Sequence, residues 1–418
     1  MYGKAASGMY MNYFLLGMVN IILITNMISL TGQWDTDSAG ISYIIAAIGI
    51  GKLLTYAVAG RLSDRIGRKP LIIFGAFAMG IFLIGIPFAP SYEIAFMLAL
   101  IAGVGNSAID AGSYPGLIEV FPKTAGSASV MVKAFMSAGT MLLPFIILFI
   151  ASQGMFYGYT FFLVGSLYFV TMFFLMPVKF PNHRIVQSNV TTQESWNEKK
   201  FISEPKFGKE GLALVIIGFT STGLFTVAQI WLPTFGEQVL GMTTGNAIKL
   251  LSYYSMGALI SVLTLAVLLK KVIRPVVILI VYPIITFIAI VTILTIKIPS
   301  VAIVAAFFIG LSTAGIFQLA IAVMTELFWQ KKGRVTGVVA TAAGLAAVVM
   351  PILTGLLSKT GNISIIFIFD AFLAVIGFLA ALFVYYRYIK VVGKNTDKAK
   401  TTTSTQAINQ RVVLDDDV

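Results

Sequence analysis

Long apolar stretches, interrupted by short polar or Gly- and Pro-marked turns, recur from about Met9 to about Tyr388. Turn and charge signals divide them into twelve segments, at approximately 9–30, 38–61, 70–89, 94–120, 127–152, 157–177, 211–235, 247–269, 275–296, 300–327, 334–357 and 363–388. Gln33-Trp34-Asp35 marks the first turn and Ala89-Pro90-Ser91 the third. Each segment can cross a hydrocarbon core of about 30 Å as a helix of about 20 residues. The first has no small-residue cleavage site and further spans follow it, so a retained helix is expected rather than a cleaved leader. The pattern predicts an all-α membrane protein with twelve transmembrane helices.

Composition agrees. Of 418 residues, 58% are hydrophobic and only 11% charged, against roughly 25% charged in an ordinary soluble domain. So few charges cannot coat a globular surface, and lipid must be the main solvent. The 38 glycines suit close helix–helix approach in a membrane. With no cysteine and one histidine, His183 in a polar linker, thiol chemistry, His triads and His-cluster metal sites are excluded. No P-loop pattern is present, so no nucleotide is expected. The chain is expected not to be an enzyme, to need no cofactor or metal, and to act as a monomer.

The net charge of +12 could suggest nucleic acid, but its distribution argues for topology instead. Of the 29 Lys and Arg residues, 24 fall in the two tails and the even-numbered connections, three in the opposite connections, and two inside spans. The positive-inside rule then places both termini and the 178–210 linker in the cytoplasm. The expected location is the cytoplasmic (inner) cell membrane, multi-pass. The linker separates an amino-terminal bundle, 1–177, from a carboxyl-terminal bundle, 211–390. The tail, 391–418, reads as disordered.

The halves repeat. Shifting 103–144 by 207 residues brings Gly103 onto Gly310, Glu119 onto Glu326, Gly126 onto Gly333 and Pro144 onto Pro351. The fourth and fifth spans therefore resemble the tenth and eleventh, as in carriers built from two parallel halves around a midplane site.

Between the second and third spans stands Gly60-Arg61-Leu62-Ser63-Asp64-Arg65-Ile66-Gly67-Arg68-Lys69-Pro70. It resembles the Gly-x-Leu-x-Asp-Arg-x-Gly-Arg-Arg/Lys signature of the major facilitator superfamily, in the loop where that family carries it. Glu119-Val120-Phe121-Pro122 is similar to the family's next cytoplasmic motif, and Glu326-Leu327-Phe328 with Arg334 is its weaker second-half counterpart. The resemblance spans roughly 9–390. It implies that fold, with two pseudo-symmetric six-helix bundles, and a cytoplasmic gate containing Gly60, Asp64, Arg65, Gly67, Arg68, Glu119, Glu326 and Arg334. From the residues alone, Gly60 permits a close helix contact, Gly67 suits a tight turn, and the carboxylates and guanidiniums can pair. Solvated or topogenic surface charge is the plainer reading of the same residues.

An ionisable side chain at mid-membrane costs about 2.5–3.5 kcal/mol on insertion scales, so each should be paired or face a cavity. Lys52, Asp110 and Lys133 all lie about 10–13 Å from the cytoplasmic ends of their helices at 1.5 Å per residue. Polar stripes accompany them: Ser42, Gly49 and Tyr56 on the second span; Asn106, Ser113 and Tyr114 on the fourth; Ser137 and Thr140 on the fifth. The resemblance places the fourth span at the cavity with the second and fifth beside it. Two lysines and one aspartate leave one positive charge, which suits an anionic solute, with Asp110 taking up the proton. A Lys–Asp pair that only fixes packing is the alternative. Asn20, Gln229 and Gln318 are expected to add uncharged polar lining, and Asp370 to sit at the interface near the outer end of the last span. The expected function is a secondary active transporter, proton-coupled as a symporter, moving a small organic anion or sugar by alternating access. Its partners would be the solute, protons and the bilayer. A proton-driven multidrug efflux antiporter is the competing reading.

Overall fold

The computed structural model describes residues 2–181, 203–271, 273–328 and 332–392. The centre of the linker and the tail expected to be disordered lie outside the described residues. Among the described residues, twelve helices are long and apolar enough to span a membrane. They are α1 (Gly3–Thr25, continued by Met27–Gln33), α2 (Ser38–Ile66), α3 (Arg68–Gly85), α4 (Tyr92–Val120), α5 (Ala125–Ser152) and α6 (Gly158–Leu175) in the first half. The second half holds α7 (Leu212–Gln238, entered through a π-helical turn at Phe207–Gly211), α8 (Thr244–Lys271), α9 (Pro275–Thr295), α10 (Pro299–Leu327, interrupted at Ala314-Gly315), α11 (Lys332–Ser358) and α12 (Ser364–Val392).

Two boundaries depart from the hydropathy pattern. Helix α1 starts at Gly3, earlier than its apolar run, and α2 continues to Ile66. The signature between the second and third spans is thus almost wholly helical. Only Gly67 breaks the helix, and its φ of 97° is the conformation that admits glycine without strain. Backbone groups near a membrane face are satisfied most cheaply inside a helix, so polar residues extend the helix rather than end it.

The repeat is visible in packing. A Cβ on Gly103 would overlap the Ile48 carbonyl of α2, and one on Gly310 would overlap the Tyr254 carbonyl of α8. Gly51 and Gly257 complete the two pairs from the opposite side, against Leu100 and Phe307. Pro144 and Pro351 both lie within helices, α5 and α11. These small-residue crossings let backbones approach where van der Waals packing, not water expulsion, drives association.

The described ends of the chain, the signature and the linker ends share one face, called here the basic face. Away from it the halves touch. Gly49 of α2 meets the Ala347 carbonyl of α11, Gly344 meets Leu53, and Gly355 meets Tyr43 and Ser42. Ser252 of α8 donates to the Met141 carbonyl of α5 (3.0 Å). Nearer the basic face the same stripes are bare. Tyr56 and Gly60 continue the Gly49–Leu53 stripe, and Thr341 and Gly337 continue that of Gly344. Tyr56 and Thr341 are exposed, and a Cβ on Gly60 or Gly337 would meet nothing within 4 Å. The cleft therefore opens to the basic face. The expected close contact at Gly60 is absent, because the partner surface stands away from α2 here.

Candidate functional site

The chamber wall is built from α1, α2, α4 and α5. On α2 and α4, the Gly51–Gly103 crossing brings the backbones together one residue before Lys52 and seven residues before Asp110. Lys52 Nζ then reaches Asp110 Oδ2 at 2.7 Å. Tyr13 of α1 donates its hydroxyl to the other oxygen, Oδ1, at 3.0 Å. The carboxylate is nearly buried, with 8% of its side chain exposed, while 36% of the Lys52 side chain is open to the cleft. Lys133 of α5 is half-buried, on the Ala128–Met136 stretch that packs against Tyr10–Gly17 of α1, the segment carrying Tyr13. Among the described residues, no carboxylate pairs with Lys133.

Aromatic rings surround the ions. The Lys52 ammonium lies 6.0 Å from the Tyr56 ring centre. Tyr114 meets Tyr13 edge-on at 5.4 Å, and Tyr10 stacks on Phe135 at 5.0 Å. Tyr13 was not among the expected site residues. Tyr13 precedes Asn20 by seven residues on one face of α1, so the stripe was present in the sequence.

Other expected residues are placed differently. Among the described residues, Asn20, Asn106, Gln229 and Gln318 make no hydrogen bond to the trio; Asn106 Oδ1 and Gln318 Oε1 are buried without a partner. Thr140 donates to the Gly17 carbonyl of α1 (3.0 Å), and Ser42 to the Ser38 carbonyl of its own helix (3.0 Å). Those two hydroxyls therefore serve helix packing and do not line the chamber. Asp370, expected at the interface near the outer end of α12, is completely buried inside the bundle, and neither carboxylate oxygen has a hydrogen-bond partner. It shares the inward stripe of α12 with Phe367 and Ala374, also 0% exposed, so its depth follows from helix phase rather than from nearness to the helix end.

At the basic face, Arg68 is the hub. Its Nη1 reaches Asp64 Oδ1 (2.7 Å) and Ser63 Oγ (2.8 Å), and its Nε reaches Glu119 Oε1 (3.0 Å). Ser63 in turn donates to the Ala111 carbonyl (2.7 Å), tying α2, α3 and α4 together. Arg68 is buried, whereas Asp64 and Arg65 are exposed. Glu326 lies half-buried at the same end of α10. The side chain of Arg334 lies outside those described. The second half has its own ion pair: Arg387 Nη2 and Nε both reach Glu210 Oε1 at 2.6 Å, and Glu210 is fully buried.

A sequence model of the Major Facilitator Superfamily matches residues 9–330 and 250–414. The chain belongs to this superfamily. It is 57% identical over 390 residues to the uncharacterized MFS-type transporter YfkL of Bacillus subtilis, covering 93% of this chain and 98% of that one. It is 36% identical over 383 residues to the inner membrane transport protein YdiN of Escherichia coli, covering 91% and 90%. Among solved structures, a D-xylose-proton symporter superposes with a TM-score of 0.74 at 15% identity, covering 92% of this chain and 98% of that one. An inward-open structure of the xylose transporter XylE from E. coli gives the same score at 14% identity, covering 92% and 96%. The protein is thus a multi-pass membrane transporter of the facilitator fold.

Proposed function

We propose that this facilitator is a proton-coupled symporter for a small organic anion, working by alternating access with the basic face in the cytoplasm. The observation that carries this reading is the Lys52–Asp110 pair in the open cleft, with Lys133 on neighbouring α5 having no carboxylate partner among the described residues. Asp110 is the acid within reach of the cleft, and Lys133 is a cation that a solute can neutralise. Protonating Asp110 breaks its ion pair and frees Lys52 for the solute, so proton and anion favour each other's binding.

Orientation rests on the excess of Lys and Arg at the basic face. The superposed symporter adds that this fold accommodates proton coupling, while the solute class rests on the lysines alone. Efflux of lipophilic cations fits less well, because the carboxylate at the cleft is already neutralised by Lys52 and Asp370 is sealed. For the gate, we assign Arg68 the task of holding the α2–α3 turn to α4, with exposed Asp64 facing the space that closes when the halves rock.

Uptake into proteoliposomes under an imposed pH gradient tests the reading, with carboxylates, sugars and cationic dyes as the panel. Accumulation of carboxylates that Asp110→Asn abolishes is expected. Full gradient-driven accumulation in that variant removes Asp110 as the proton site, and outward movement of dyes alone overturns uptake of anions.

A further inference from the structure

We infer that the site takes a solute bearing a single negative charge, a monocarboxylate, and moves it with one proton so that no net charge crosses the membrane. The inference rests on the symport reading above and adds its charge and stoichiometry.

Charge in the cleft is confined to the first half. Between their polar ends, α7, α8, α10 and α11 contain no Asp, Glu, Lys or Arg at 212–236, 250–269, 300–325 and 335–358. In the first half, α1 adds none beyond Lys4, α2 adds Lys52 above its basic-face end, α5 adds Lys133, and α4 adds Asp110 between Glu93 and Glu119 at its two ends. Glu119 is engaged by Arg68. Asp370 is enclosed in the second bundle, and neither of its oxygens has a hydrogen-bond partner. Glu210 and Arg387 are paired with each other at the other end of α12. One acid and two ammoniums therefore face the solute.

In the empty site, Lys52 and Asp110 cancel, and Lys133, as an ammonium, leaves one positive charge. Loading adds a proton to Asp110 Oδ2. The ion pair to Lys52 breaks, the Lys52 ammonium keeps its own protons, and both ammoniums turn to the solute carboxylate. Two positive charges and one negative again sum to one. The two forms that must cross the occluded state thus carry equal charge. A proton without the anion leaves two ammoniums uncompensated in a water-poor chamber, which is strongly unfavourable. An anion without the proton meets Lys133 alone, since Lys52 stays on Asp110. A dianion would bring the loaded site to zero charge, so the loaded and empty forms would no longer match. Tyr56, exposed beside Lys52, and half-buried Tyr114 supply ring faces and hydroxyls for the solute's body, which favours a cyclic or hydroxylated acid.

The full chain in proteoliposomes, offered benzoate and gluconate, the dianion malate and the neutral sugar xylose, tests this. Each is tested under a pH gradient without potential, and under a valinomycin–potassium potential without a pH gradient. Benzoate or gluconate is expected to accumulate with the pH gradient and to ignore a potential of either sign. Lys133→Gln is expected to reduce that uptake about tenfold, within the range of a coupling energy between two bound species, and Lys133→Arg to retain it. Uptake of the monoanion that follows the potential overturns the one-to-one balance and leaves symport standing. Transport of only malate or only xylose overturns the single-charge assignment. If no member moves, the inference and the anion reading both fall.

Discussion

In the amino-terminal half, α2, α4 and α5 each bring one ionisable side chain to mid-depth, where Lys52 and Asp110 pair at 2.7 Å in an open cleft. The corresponding walls of the carboxyl-terminal half bring none. At its basic edge fully buried Glu210 holds Arg387, and Asp370 is sealed inside the bundle without a hydrogen-bond partner. The two halves nevertheless share the backbone crossings at Gly103 and Gly310. A duplicated scaffold has therefore kept its packing rule in both copies while charge stayed at the cleft in one. Packing is constrained by backbone distance, which every functional copy needs; charge at mid-membrane is costly and survives where it is used.

The largest effect is expected from Asp110→Asn, which should lower proton-driven accumulation about tenfold or more. Asp370→Asn should leave accumulation unchanged, and the reverse ranking would move proton coupling to the second half. Next comes Arg387→Ala, which strands a fully buried carboxylate and should cost about 3 kcal/mol of stability. Thermal melting in detergent, compared with Glu210→Gln/Arg387→Gln, would separate charge from packing. Gly103→Ala and Gly310→Ala sharpen the likeness between the halves: each forces a methyl against a carbonyl oxygen and should cost about 1–3 kcal/mol. A melt in which only one of the two suffers would refute equivalent crossings. The smallest stability effect should come from Asp370→Asn, near zero or slightly stabilising, because a neutral amide of the same shape replaces a carboxyl without hydrogen-bond partners.

The Gly60 region shows how conformation conceals part of the site. A glycine in that signature reads as a helix contact, yet its neighbour space is empty in the state open to the basic face. Rocking the halves together would bring α11 toward it. The Arg68 network, by contrast, lies wholly within one bundle, so its pairing with Asp64 and Glu119 does not depend on which face is open.

Much of the molecule was legible before any coordinates. Hydropathy and turn chemistry marked twelve spans, because lipid demands that apolar length be continuous. The 207-residue repeat marked the equivalent helices, and the expense of charge in the membrane singled out Lys52, Asp110 and Lys133. What the tertiary structure alone decided was orientation and partnership. It joined Lys52 to Asp110, added Tyr13 from α1, turned Thr140 toward a neighbouring helix, and buried Asp370. The physical reason is that helical phase is periodic and known from the chain, whereas the rotation of one helix against another depends on all the close crossings together. Gly17, Gly51, Gly103 and Gly139 set those rotations through backbone contacts with residues far away in sequence.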